Sequence, residues 1–278
     1  MKNLGTKLLL VSLATLTLSC SDEKLDQEEI IVENEISGVL LKKLKEYDVN
    51  TNDIQLVDFD LPDGTSIPMY QLEGDIHMSK EHIESLESVQ NLSAKNYHTN
   101  NLVSQNTVID IIGYTSSSSS YGLSTNEQTA LGWAVNNFNR LGLSITFNLT
   151  YGTDYDSKDM VVYHNPTQSG AGGSAGFPSG GAPYKWVQIY GLDNYDTNVI
   201  EHVITHEIGH SVGLRHTDWF SRQSCGQNTN EGSAGVGANP IPGTPDGYDS
   251  TSLMLACFSS SEDGEFNSND IIALQYLY

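Results

Sequence analysis

The residues best equipped for chemistry in this 278-residue chain are three histidines and a glutamate: His206-Glu207-Ile208-Gly209-His210-Ser211-Val212-Gly213-Leu214-Arg215-His216. On a helix, His206 and His210 are one turn apart, so both imidazoles project from the same face and can grip a single cation. Glu207 lies beside them, close enough to reach a water activated by that cation without being needed as a ligand. A catalytic zinc typically takes three protein ligands and keeps an open position. His202 and His216 compete for the third place. His202 sits about 12 Å along the helix axis from His210, whereas the ligand nitrogens around one zinc are only ~3–4 Å apart. Gly213 can adopt the left-handed conformation that ends a helix, which turns the chain sharply and brings His216 back to the ion. His216 is therefore the expected third ligand, and His202 a polar neighbour of the cleft.

These side chains need a helix and a scaffold behind it. A helix is predicted from about Val199 to Val212. Upstream, Ser124 to Glu127 reads as a capping box, followed by Ala130, Leu131, Ala134, Val135 and Phe138 on the inner face of a second long helix. Strands are expected at Val108–Ile112, Leu143–Leu149, Met160–Tyr163 and Val187–Tyr190. The glycine-rich stretch from Gly170 to Pro183 suits only an irregular edge. Residues 217–253 show no periodicity, and a last helix is capped by Ser268 or Asn269, presenting Ile271, Ile272, Leu274 and Leu277. Further upstream, one short helix is expected around Ile36, Val39, Leu40 and Leu44. Strands then follow about the turn Pro62-Asp63-Gly64, with a helix over 79–90 capped by Ser79. Asn91 to Asn106 reads as a linker.

Composition narrows the function. Lys+Arg 13 against Asp+Glu 35 gives a net charge of −22, and residues 101–278 carry 5 bases and 17 acids. Nucleic-acid binding through a basic face is excluded, because neutralising phosphates requires cations that this chain lacks. Lys2 and Lys7 precede an apolar stretch, Leu8 to Leu18, too short to span a bilayer but suited to the core of a signal peptide. The stretch runs into Leu18-Ser19-Cys20-Ser21-Asp22-Glu23, which resembles a bacterial lipoprotein signal. That resemblance implies lipidation of Cys20 and anchoring to the outer membrane, and the acidic run after it favours the cell surface. Cys225 and Cys257 then remain as an even pair in an oxidising compartment, where a disulfide is the default.

The pattern HExxHxxGxxH resembles the metzincin zinc peptidases. Ser252-Leu253-Met254 stands where that family has its methionine turn, so Met254 is expected as an adaptable floor beneath the histidines. More narrowly, His206-Glu207-Ile208-Gly209-His210, the following Leu214-Arg215-His216-Thr217-Asp218 and the cysteine past Met254 are similar to the bacterial dual-action HEIGH metallopeptidases. The resemblance covers roughly residues 107–278. It implies an α+β fold with a mostly parallel twisted sheet, two long helices, an antiparallel edge strand and a loop-rich lower part. It also implies a zinc-dependent endopeptidase acting on extracellular polypeptides, one Zn²⁺, and Glu207 as general base. Ala256 stands where astacins carry a zinc-binding tyrosine, leaving only the remote Tyr248 for such a role.

Leu72-Glu73-Gly74-Asp75-Ile76 resembles the segment of astacin propeptides whose aspartate fills the open zinc position. Asp75 is thus an expected zymogen latch. The expected organisation is a signal peptide at 1–19, a prodomain with linker at 20–100 and a catalytic domain at 101–278, in a monomer. The carboxylates of Asp154, Asp156 and Asp159 make Ca²⁺ a second expectation, although their spacing is not that of an EF-hand. On sequence, two other readings stay open: a surface-anchored binding lipoprotein with a non-catalytic metal site, and a zinc hydrolase of non-peptide amides.

Overall fold

The computed structural model describes residues 36–46, 54–86, 97–228, 239–245 and 247–278. Cys20 and the signal-like stretch before it lie outside the described residues. In chain order the elements are helix α1 (Gly38–Glu46), strands β1 (Gln55–Asp60), β2 (Ser66–Leu72) and β3 (Ile76–Met78), and helix α2 (Lys80–Ser85). Next come β4 (Tyr97–His98), β5 (Val108–Tyr114), helix α3 (Thr125–Asn139), β6 (Thr146–Gly152), β7 (Met160–His164), β8 (Gly172–Ser174) and β9 (Trp186–Tyr190). Helix α4 (Thr197–Ser211), β10 (Asn239–Pro240) and helix α5 (Ser268–Leu277) complete the order. Among the described residues, no helix is long and apolar enough to cross a membrane.

The fold is α+β, built on a mixed five-stranded sheet of order β6-β5-β7-β9-β8. Strands β5, β6, β7 and β9 are parallel, with Ile111 facing Met160 and Val162 facing Val187 in register. The glycine-rich β8 returns antiparallel along β9, pairing Gly173 with Ile189, and so forms the expected irregular edge. Alternation along the strands sends Ile109, Ile111, Val162 and Val187 to one face, where they are buried with Leu131, Phe138, Ile204 and Ile208 of α3 and α4. The opposite face presents Ile112, Tyr114, Val161 and Tyr163 to Phe59 and Met69 of the β1–β2 hairpin. A separate cluster of Leu40, Leu44, Leu72, Ile76, Met78, Ile83 and Leu86 holds the N-terminal elements together and closes over Phe177 of the β8–β9 connection.

Local chemistry sets the helix starts. Ser124 Oγ accepts from the Glu127 amide while Glu127 Oε2 accepts from the Ser124 amide at 2.6 Å, so two otherwise orphaned donors are satisfied reciprocally. Asn267 and Asp270 repeat the arrangement at α5, one residue before the expected cap. In α4 every residue from Val199 to Ser211 is buried. It is an internal helix, which is why its polar residues can be held so closely.

The expected short N-terminal helix is α1. Two other expectations are corrected. Helix α2 ends at Ser85 rather than continuing to 90. Residues 97–106 are not a linker: Tyr97, Thr99 and Val103 are buried, Tyr97–His98 pairs with Asn239–Pro240, and the Thr99 amide donates to Gly213 O at 2.8 Å. Polar groups of the segment make their bonds to backbone: Gln105 Nε2 donates to Leu277 O at 2.7 Å and the Ser104 amide to Gly181 O at 2.8 Å.

Replacing Ser124 by Ala should lower the free energy of unfolding by about 1 kcal/mol, measured by denaturant titration, while Ser124→Asp should cost much less. An unchanged midpoint for Ser124→Ala would contradict the role of the capping box.

Candidate metal centre

Helix α4 delivers His206 and His210 from adjacent turns. Gly213, at φ +108, breaks the helix, a conformation that a side chain would strain. The Gly213 and Leu214 amides donate back to His210 O and Gly209 O, both at 2.9 Å. The chain then reverses, and the Arg215 amide is anchored on Tyr97 O at 2.9 Å, which carries His216 up to the other two histidines.

The three Nε2 atoms converge. His206 and His210 approach to 2.9 Å, His210 and His216 to 3.2 Å, and all three rings are buried. His206 Nδ1 faces Leu253 O at 3.0 Å and His210 Nδ1 faces Leu214 O at 2.9 Å. Carbonyl partners keep the protons of these two rings on Nδ1 and leave Nε2 as lone pairs. Lone pairs packed this closely in a dry site repel unless they share a cation, and these two separations are close to the edges of a tetrahedron of nitrogens around zinc at ~2.0–2.1 Å. The donor set fits that ion.

Asp75 reaches the same point from the N-terminal elements. Its Oδ2 lies 3.0 Å from His216 Nε2 and 3.8 Å from His206 Nε2. Asp75, His206, His210 and His216 form the group able to hold a metal among the described residues. Burial opposes ionisation of Asp75, but the facing His216 and His206 outweigh it, holding its carboxyl well below the usual range. Glu207, fully buried beside Gly173, is pushed well up by burial and by the Asp75 charge. Gly173 has no room for a side chain, since a Cβ would stand 2.6 Å from Glu207 Cγ. The edge strand thereby touches the glutamate.

His202 is not in the group. Its ring stacks 6.4 Å from that of His206, its Nε2 finds no partner among the described residues, and burial, with His206 adding, pushes it down to about 3. It lines a cavity of about 480 Å³ beside Glu207, together with Tyr190, Tyr195, Val203 and Phe258. Met254 lies under the helix, close enough to Gly209 that a Cβ there would meet its Sδ at 2.6 Å, and its carbonyl accepts from the Thr217 amide at 2.8 Å. Cys225 and Cys257 are joined, with Sγ atoms 2.13 Å apart. Asp159 accepts from the Asp110 amide at 2.8 Å, and Asp154, Asp156 and Asp159 do not converge on a common point among the described residues.

Several residues of the site had not stood out. Asp270 of α5 accepts from Ser252 Oγ at 2.8 Å and from the Leu253 amide at 2.9 Å, fixing the carbonyl that orients His206. Asp218 accepts from Ala256 N, Ser224 N and Ser224 Oγ, tying the segment after His216 to the disulfide and to the loop beyond Met254. Tyr190 donates to Gly173 O at 2.9 Å. Arg215 pairs with Glu73, both buried. Only the position of Asp218, two residues past the last histidine, offered a signal; the others depend on contacts far apart in sequence.

The family model of the dual-action HEIGH metallo-peptidases matches residues 70–278. The chain belongs to that family. Among solved structures, two of myroilysin are similar, at 13% and 14% identity, each covering 64% of this chain and 82% and 86% of that one, with TM-scores of 0.40 and 0.41. No curated protein sequence matches. Family membership together with the histidine and aspartate cluster makes the protein a zinc-dependent peptidase.

One zinc per chain should be retained by the full-length protein after dialysis and counted by mass spectrometry. His210→Ala should reduce it to well below one, whereas His202→Ala should leave it at one. Loss of zinc from His202→Ala equal to that from His210→Ala would contradict the ligand assignment.

Proposed function

We propose that this protein is an exported zinc endopeptidase made as a precursor in which Asp75 closes the active site. The observation that carries the reading is the position of the Asp75 carboxylate against His206 and His216, on a segment that also occupies the edge of the sheet. The Ala175 amide donates to Asp75 O at 2.9 Å and the His77 amide to Ala175 O, with Ile76 and Ala175 paired in parallel. These are the backbone groups that an extended polypeptide substrate would use by strand addition. A substrate can enter only when residues 75–77 leave.

His206, His210 and His216 would hold the zinc, with Met254 as the methionine turn beneath them. Bound there, zinc supplies a Lewis acid that polarises the scissile carbonyl and acidifies a water molecule. Glu207 takes the proton of the attacking water on its carboxylate and passes it to the departing amine. Its Oε2, without a hydrogen-bond partner among the described residues, is free to do so. The β8 edge holds the substrate extended beside Glu207, and the cavity next to it receives the neighbouring side chain. Departure of Asp75 removes the negative charge that pushes Glu207 up, which readies the glutamate as a base.

Residues 97–103 brace the Gly213 turn, so the catalytic unit begins no later than Tyr97, and activation removes a prodomain ending before it rather than at residue 100. Export, a signal peptide at 1–19 and an outer-membrane anchor on Cys20 belong to the same proposal and rest on the residue pattern of the first 23 positions. A Cys225–Cys257 disulfide suits an oxidising compartment.

On casein, full-length wild type should be nearly silent and Asp75→Ala active. Adding Glu207→Ala to the latter should cut the rate by roughly 10²–10⁴-fold with zinc retained. If Asp75→Ala stays as silent as wild type while proteolytically trimmed protein cuts, the latch is wrong. If zinc-loaded, trimmed protein cuts nothing, a metal-binding surface module replaces the peptidase reading.

A further inference from the structure

The segment that closes the cleft is held by a second anion besides Asp75. Glu73 enters the catalytic half two residues earlier and pairs with Arg215, the residue next to the ligand His216. Both side chains are about 1–2% exposed. Glu73 adopts φ +52 and Gly74 φ +95, two successive left-handed residues, the first unusual for a side chain of this kind. This turn places Glu73 and Asp75 against the neighbouring positions 215 and 216. Arg222 closes it from the other side: its Nη1 donates to Glu73 O at 3.1 Å, and its guanidinium lies over Gly74, 3.6 Å from where a Cβ would stand.

Residues 101–278 contain only 5 bases, namely Arg140, Lys158, Lys185, Arg215 and Arg222. Arg140 pairs with Glu265 at the surface, and Lys185 reaches Asp156 O at 2.9 Å. Two of the scarce cations of a strongly acidic domain thus meet one residue, Arg215 on the Glu73 carboxylate and Arg222 on its backbone carbonyl. Arg215 cannot shed its charge. A buried cation whose partner is withdrawn is strongly destabilising, so departure of Glu73 leaves a site that demands another anion. Arg215 donates to Glu73 through Nη2, while its Nε and Nη1 find no acceptor among the described residues. The planar fork therefore has donors left for the second oxygen of a carboxylate.

We propose that Arg215, backed by Arg222, is a carboxylate subsite that holds Glu73 in the precursor and an acidic side chain of the substrate in the active enzyme. The inference deepens the proposed function and rests on the reading that residues 73–77 leave the cleft. An extended substrate entering there brings a glutamate or aspartate to Arg215 at a fixed distance from the scissile bond. Arg215 is a specificity-determining residue, and its contribution falls mainly on KM.

Two measurements on the full-length protein test this. In Glu73→Ala, propionate replaces the deleted carboxylate. It should raise the unfolding temperature saturably, whereas propionamide should not, and the effect should vanish in Glu73→Ala/Arg215→Met. In Glu73→Ala/Asp75→Ala, a peptide series with one Glu walked along a neutral sequence should show one position where Glu exceeds Gln by about tenfold in kcat/KM, chiefly through KM. That preference should disappear on adding Arg215→Met, the ratio of kcat/KM for the Glu and Gln peptides falling to about one. Propionate acting no better than propionamide, or Glu and Gln peptides cut alike at every position, would overturn the proposal. Failure to cut any peptide would count against the peptidase and latch reading, and the propionate result would still decide whether Arg215 binds a carboxylate.

Discussion

Three imidazole nitrogens gathered inside a dry protein, with His210 about 3 Å from both His206 and His216, are the constraint on which the remaining structure depends. Neutral rings so arranged repel through their lone pairs, and protonated rings would repel as charges, so the arrangement is stable only around a shared cation or anion-bridged proton. Every ring must therefore be fixed from behind. The rings of His206 and His210 are held through Nδ1 by the carbonyls of Leu253 and Leu214, and His216 is placed by a chain reversal that only a residue without a side chain makes easily.

These supports lead outward into the fold. His206 depends on Leu253, which depends on Asp270 of the last helix, so the C-terminus of the chain orients a ligand on the central helix. Burial pushes Asp270 up to about 6 although three donors surround it, and its acceptor bonds set the loop below the histidines. The Gly213 reversal leans on Tyr97 and Thr99, far from it in sequence. Beyond His216, Asp218 gathers Ser224 and Ala256, and the Cys225–Cys257 bond covalently secures the same two loops.

Much of this was legible in the sequence wherever the signal is local. The His206–His216 spacing, Gly213 as a helix terminator, the Ser124 capping box and the alternating strands all depend on neighbours within one or two turns. Strand order was not legible in that way, because the placing of β5 between β6 and β7 depends on pairings between segments far apart in sequence. The Asn- and Ser-rich stretch before residue 107 misled because composition cannot distinguish a solvated linker from a segment whose backbone bonds are made elsewhere. The Glu73–Arg215 pair spans 142 positions, and no periodicity connects its partners. Leu72-Glu73-Gly74-Asp75-Ile76 drew attention to a segment that lies against the three histidines, yet the carboxylate at Glu73 gains meaning only from the arginine facing it.

In the proposed reading the N-terminal elements block a substrate at three places: Asp75 faces the histidines, residues 75–77 pair with Ala175 at the sheet edge, and Glu73 pairs with Arg215. The most direct test of the account is the visible absorption of the cobalt-substituted full-length protein, with and without acetohydroxamate, a ligand that requires an open metal position. The account predicts that hydroxamate leaves the wild-type spectrum unchanged and alters that of Asp75→Ala. The same response in both proteins would contradict a metal centre closed by Asp75.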